Sequence, residues 1–213
     1  AGADSATKTK VDDVVQKCKT CQLTAPAPKH SKGGGVHASY RGEWFVGDLI
    51  YPKNAQGTRM TVMHFVDVFS RCQWAYLLSS KDKAVTEQTP TTEKTAAIAK
   101  AYRRLCRDAG LPEKLFVDGD GMLHNCDTEE VLQAYGVKIH VSGAHAPWQN
   151  GLAERHGGIL KTVLKRLLSD SDLKRLPFEE VLIEATNAKN EMPGGADVCG
   201  YSPYECYFLR KPS

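Results

Sequence analysis

The chain predicts an α/β fold, a mixed five-stranded sheet flanked by helices, on three observations. Three runs rich in β-branched and aromatic residues follow one another across short turns, strand-like and helical patterns then alternate, and the helical stretches repeat apolar residues at three and four. Alternation after an antiparallel meander gives a mixed sheet with helices on its faces.

The first run is GEWFVGDLIY from Gly42, and PKNAQGT joins it to TRMTVMHFVDVF, with Pro52, Asn54 and Gly57 as turn formers. RCQWAYLLSS is the third strand of the meander, and Asp67, beside Ser70 and Arg71, reads as a turn acceptor. A helix follows from about Thr92, its apolar side made by Ala97, Ile98, Ala101, Tyr102, Leu105 and Cys106, and Gly110 and Pro112 stop it. LFVD is a short buried strand, TEEVLQAYG a short helix ending at Gly136, and VKIHVS the last strand. SGAHAPWQ is a loop with Gly143 and Gly151 as hinges, and Asn150 caps a helix running to about Ser169. That helix has Leu152, Ile159, Leu160, Val163, Leu164 and Leu167 as its apolar face. A further helix is expected from about Asp172 to Asn190, with GYSPYECYFLRKPS as an irregular aromatic tail.

With 213 residues, 41% apolar and 25% charged, the chain can bury a full core. No run approaches the roughly 18 to 20 apolar residues needed to span a bilayer, so no membrane partner is expected. AGADSATKTK has neither an apolar signal region nor an initiator Met, and reads as the start of a fragment of something longer. Seven cysteines without the spacing of a disulfide scaffold suit a reducing, intracellular setting. A net charge of +3 does not by itself announce a nucleic-acid binder, and clusters such as Arg103/Arg104/Arg107 read as solvated surface.

Three carboxylates stand out. Asp48 lies inside an apolar strand, Asp118 at the end of another, and Glu154 in the first turn of a helix, with 35 residues between the last two. An acid within such a run loses hydration unless something offsets the loss, whereas three that converge make a cradle for hard divalent cations. Glu154, Gly158, Lys161 and Lys165 form one stripe of their helix, a carboxylate followed by ammonium groups suited to a phosphate track. By itself Glu154 would be an acid complementing a helix dipole. Trp148 and Gln149, at the loop tip, could meet an unpaired base, or Trp148 could anchor the loop by packing. His145 and His156 could neighbour a phosphate or a metal ion, but surface histidines are common, and neither is given a role. Cys18 and Cys21 form a CxxC pair, half of a four-ligand zinc site. The other half could stand upstream of Ala1 or be His30 and His37, or no metal is bound.

These residues resemble the catalytic core of retroviral-type integrases, most closely those of copia-type LTR retrotransposons. The resemblance is carried by Asp48, Asp118 and Glu154 at that spacing, and by VDVFSRCQW, APWQNGLAERHGG and GYSPYECYF, and covers about residues 14 to 212. It implies a ribonuclease H-like fold and three domains of sequence. Residues 1–40 are the truncated end of an N-terminal zinc-binding module plus linker, 41–190 the catalytic core and 191–213 a C-terminal extension. It also implies that Asp48, Asp118 and Glu154 are catalytic metal ligands for Mg2+, with Mn2+ as a substitute. Cys18 and Cys21 resemble the last two zinc ligands of the module, whose two histidines are absent. Asp118-Gly119-Asp120-Gly121 departs from the family's pattern, so Asp120 competes for the second ligand position, although a ligand at a strand end is better held.

The implied activity is metal-dependent phosphoryl transfer on DNA, trimming of a donor 3′ end followed by attack of the 3′-hydroxyl on target DNA. Donor and target DNA would be the partners, with Trp148, Gln149, Asn150, Arg155, Lys161 and Lys165 as contacts. The family implies a homo-oligomer, and a chromosomal target implies a location in the nucleus of a eukaryotic host. Two alternatives stay open: a ribonuclease H or resolvase-like nuclease that hydrolyses without joining, and a domesticated DNA-binding protein without catalysis.

Overall fold

The structure, a computed structural model, describes residues 36–80, 83–86, 88–142, 151–193 and 200–212. Its centre is a sheet in the order β3-β2-β1-β6-β7. The strands are β1 (Trp44–Ile50), β2 (Val62–Asp67), β3 (Gln73–Leu77), β6 (Lys114–Val117) and β7 (Lys138–Val141). β1 and β3 pair with β2 antiparallel, whereas β6 pairs parallel with β1 and with β7. The expected mixed five-stranded sheet is therefore present. A small second ladder, β4 (Ser79–Ser80) with β5 (Lys83–Ala84), was not anticipated.

Turn chemistry sets the meander. Asn54 Oδ1 accepts from the amides of Gln56 and Thr58 at 3.0 and 2.8 Å, closing the β1–β2 connection. Asp67 is fully buried at the end of β2 and accepts from Gly42 N, Ser70 N and Ser70 Oγ, the turn acceptor that the sequence suggested.

Alternation along each strand sends side chains to two faces. Phe45, Leu49, Met63, Phe65, Tyr76, Leu115 and Val117 join the larger core with α1 (Thr91–Asp108) and α2 (Cys126–Ala134). The other face carries Val46, Ile50, Val62 and Phe116. It is covered by α3 (Gly151–Leu167), through Ala153, Leu160 and Leu164, and by α4 (Phe178–Glu191), through Val181, Leu182 and Ala185. No helix among the described residues is long and apolar enough to cross a membrane.

Four expectations are corrected. The helix expected from Asp172 is a 3-10 turn, Leu173–Arg175, followed by α4 from Phe178, because Pro177 cannot donate to a continuing ladder. The tail is not irregular throughout: Pro203–Phe208 is helix α5, opened by reciprocal capping of Ser202 and Glu205. Its Tyr207 is buried against Trp74 at 4.8 Å between ring centroids and donates to Ala109 O at 2.7 Å. Ile159 is exposed, and His156, expected at the surface, is buried. The seat of α3 is narrower than its apolar pattern suggests and includes a polar side chain.

Candidate active site

Asp48 projects from the centre of β1 on the face that α3 covers, opposite His64 of β2. It is half-buried, and its Oδ1 accepts from its neighbour's amide, Leu49 N, at 2.8 Å. Burial pushes its carboxyl up to about 6, and the charges of Asp118 and Glu154 add to the rise while the Leu49 amide and Lys161 oppose it. Those causes identify the neighbours: two acids and one ammonium, from a strand end and a helix, act on one carboxyl.

Asp118 follows β6 directly and is exposed. Ser142 Oγ donates to its Oδ1 at 2.7 Å, and Gly119 N donates to the same oxygen at 2.8 Å. Ser142 is itself held at the end of β7 by its amide's bond to Val117 O at 2.9 Å. Sequence reasoning placed Ser142 where the last strand meets a loop and gave no sign that it would orient an acid. Asp120 is engaged differently: its Oδ1 accepts from Met122 N at 2.9 Å and its carbonyl from Leu123 N, local bonds that shape a turn. Asp118 is among the charges that raise Asp48.

Glu154 is exposed in the first turn of α3. Arg155, Lys161 and Lys165 are exposed along the same helix, and Lys161 acts electrostatically on both Asp48 and His64. Trp148, Gln149, Asn150, Gly143 and His145 lie outside the described residues, as do Cys18, Cys21 and His30.

Asp118 and Glu154 both act on Asp48, but the three acids are not a closed cage. Among the described residues, no group of three or more His, Cys, Asp or Glu side chains is placed so as to hold a metal ion. The donor set nevertheless fits a hard divalent cation. It offers carboxylate oxygens only, and a cation would relieve the desolvation and mutual repulsion that hold Asp48 toward its neutral form.

Behind the acids lies a polar chain that sequence reasoning missed. His64 Nε2 meets Gln73 Oε1 at 2.9 Å, and Gln73 Nε2 meets His156 Nδ1 at 2.9 Å. Burial lowers His64 to about 4, and burial with nearby cations lowers His156 to about 3. Asn190 of α4 accepts from Gln73 N at 2.9 Å and donates to Gln73 O at 2.8 Å, satisfying backbone groups on the sheet's edge strand. One signal was available: His64, like Asp48, is a polar residue inside an otherwise apolar strand run.

No protein-family model matches the chain. No curated protein matches it either. Solved structures do. A simian T-cell lymphotropic virus intasome, determined by cryo-EM in complex with PP2A regulatory subunit B56 gamma, is similar with a TM-score of 0.68 at 20% identity, over 97% of this chain and 67% of that one. The dimeric form of the HTLV-2 integrase catalytic core domain in complex with magnesium gives 0.60 at 18%, over 79% and 98%. The catalytic core domain of BIV integrase gives 0.59 at 18%, over 79% and 95%. The fold is thus that of retroviral integrase catalytic cores, the ribonuclease H-like arrangement of a mixed five-stranded sheet flanked by helices.

Proposed function

We propose that this chain is the catalytic core of an integrase from an LTR retrotransposon, copia-type or a relative, or from another retrovirus-like element. Its reaction is trimming of DNA 3′ ends and their transfer into target DNA. The observation that carries the reading is the action of Asp118 and Glu154 on half-buried Asp48, three acids from a strand centre, a strand end and a helix. The HTLV-2 core, similar in fold, was solved in complex with magnesium, which supports the choice of ion.

Asp48, Asp118 and Glu154 would hold the ions. When bound, Mg2+, or Mn2+ in its place, supplies Lewis acidity at the attacking and leaving oxygens of an in-line displacement at phosphorus. Asp48 would act from within central strand β1. Asp118 is oriented by the Ser142 hydroxyl, which settles one of its oxygens. Glu154 stands on α3, whose buried side anchors it to the sheet. Arg155, Lys161 and Lys165 position DNA through its phosphates without reading sequence. Trp148, Gln149 and Asn150 follow as contacts to the donor end.

A homo-oligomer acting in the nucleus belongs to the same reading; the similar structures include dimeric and trimeric forms and an intasome. Zn2+ at Cys18 and Cys21 needs a histidine pair to complete the site.

The test is a joining assay with a paired donor end, target DNA and Mg2+. Wild-type protein joins the two, and Asp118→Asn and Glu154→Gln bind DNA but do not join it. Cutting without joining favours the nuclease alternative, and DNA binding without either reaction favours the non-catalytic one. Loss of joining in Asp120→Asn but not in Asp118→Asn moves the second ligand to Asp120.

A further inference from the structure

We infer that the buried chain His64–Gln73–His156, clamped by Asn190 and seated at Gly157, is a positioning device: it fixes the Glu154 helix relative to Asp48 and thereby sets cation affinity at the acid site. The inference rests on the metal-site reading above.

The connection is short on both sides. His64 is the cross-strand partner of Asp48, so one end of the chain adjoins the first acid. His156 lies two residues beyond Glu154 on α3, on the buried side while Glu154 is exposed, so the other end of the chain grips the helical turn that carries the third acid. At Gly157 the helix backbone rests directly on the sheet: a Cβ there would stand 2.9 Å from Ile50 Cγ2 and 3.7 Å from His64 Nδ1. Ile50 is two residues from Asp48 on the same face of β1. Gly157 therefore sets the separation between the helix and β1, and the hydrogen-bonded chain sets the rotation and slide.

Donor and acceptor bookkeeping gives the chain a direction. Gln73 Oε1 can only accept, so His64 carries its proton on Nε2; Gln73 Nε2 can only donate, so His156 Nδ1 is bare and its proton sits on Nε2. Turning the amide over would put the His64 proton on Nδ1, a fully buried atom that has no hydrogen-bond partner. An unpaired buried donor is worse than an unpaired lone pair, which selects the first arrangement. Both imidazoles are then neutral struts of fixed tautomer. Because Asn190 holds the Gln73 backbone from α4, the amide cannot follow α3 if the helix shifts.

The experiment compares His156→Leu, which deletes the acceptor, with His156→Asn, whose side-chain oxygen stands near the place of Nδ1. Mn2+ binding is followed by the electron paramagnetic resonance of the free ion, and tautomers of the wild-type protein by long-range 1H–15N NMR. His156→Leu is expected to weaken Mn2+ binding about 10- to 100-fold, the range for loss of a residue that supports metal ligands. His156→Asn is expected to restore it to within about threefold, and metal-free DNA affinity to stay within about twofold in both variants. Both wild-type imidazoles are expected to be neutral with the proton on Nε2. A wild-type tautomer with the His156 proton on Nδ1 overturns the inference, as does Mn2+ binding by His156→Leu at wild-type strength. Wild-type protein that binds no Mn2+ overturns the metal-site reading itself, and this inference with it. Should His156→Leu fail to fold, the tautomers and His156→Asn decide: an Asn variant that binds Mn2+ about 10-fold or more weakly also overturns it.

Discussion

Asp48 and His64 face each other across β1 and β2, and withdrawal from water pushes each toward its neutral form, the acid upward and the imidazole downward. They differ in what surrounds them. His64 belongs to a chain closed through Gln73, His156 and Asn190, in which neutral groups answer one another. Asp48 accepts from its neighbour's amide and is acted on by two repelling carboxylates that Lys161 only partly offsets, a region that a bound cation would favour. The difference teaches how to separate scaffold from site: both hold buried polar groups, but only one leaves charge unanswered.

The strongest way to break the comparison is to change the open region. Asp118→Asn and Glu154→Gln are expected to lower joining by at least about 10²–10³-fold, while metal-free DNA binding, measured by fluorescence anisotropy, holds near wild type. In the closed region, Gly157→Ala puts a methyl 2.9 Å from Ile50 Cγ2 and should lower unfolding stability in urea by about 1–3 kcal/mol. Between the two regions, Ser142→Ala removes the hydroxyl that orients Asp118, with an expected rise of roughly 10-fold in the Mg2+ needed for half-maximal joining.

A fourth prediction uses pH. Asp48 rises from an ordinary 3.8 to about 6 on folding, so the folded state binds the extra proton and stability falls as pH climbs through that window, the full penalty standing above it. A cation that binds only the ionised carboxyl should therefore raise the melting temperature more at about pH 7.5 than at about pH 5. An equal shift at both would show that Asp48 is not where the ion binds. The smallest effect belongs to Asp120→Asn, expected to leave Mg2+-dependent joining near wild type, since Asp120 Oδ1 serves a turn.

The sheet was legible in the sequence because runs rich in β-branched and aromatic residues, bounded by turn residues, mark the strands, and Asp48 stood out because it is a charge inside such a run. Applied evenly, the same rule would have found His64. His156 was legible too: it lies three residues after Ala153 and four before Leu160, both buried, and so on the seated side of α3. Pro177, and Ser202 followed three residues later by Glu205, were likewise readable signals for the start of α4 and for α5. Six-residue α5 is stabilised by packing against Trp74 and the α1 terminus, which no local pattern contains. Ser142's hold on Asp118 and Asn190's hold on Gln73 span 24 and 117 residues, contacts that arise only once the sheet has formed.

Anomalous scattering from crystals soaked in Mn2+ tests the central claim most directly. Ions bound by Asp48, Asp118 and Glu154 are the result predicted here. Ions held by Asp120 in place of Asp118, or no ion at the three acids while the protein is active with Mn2+, would contradict it.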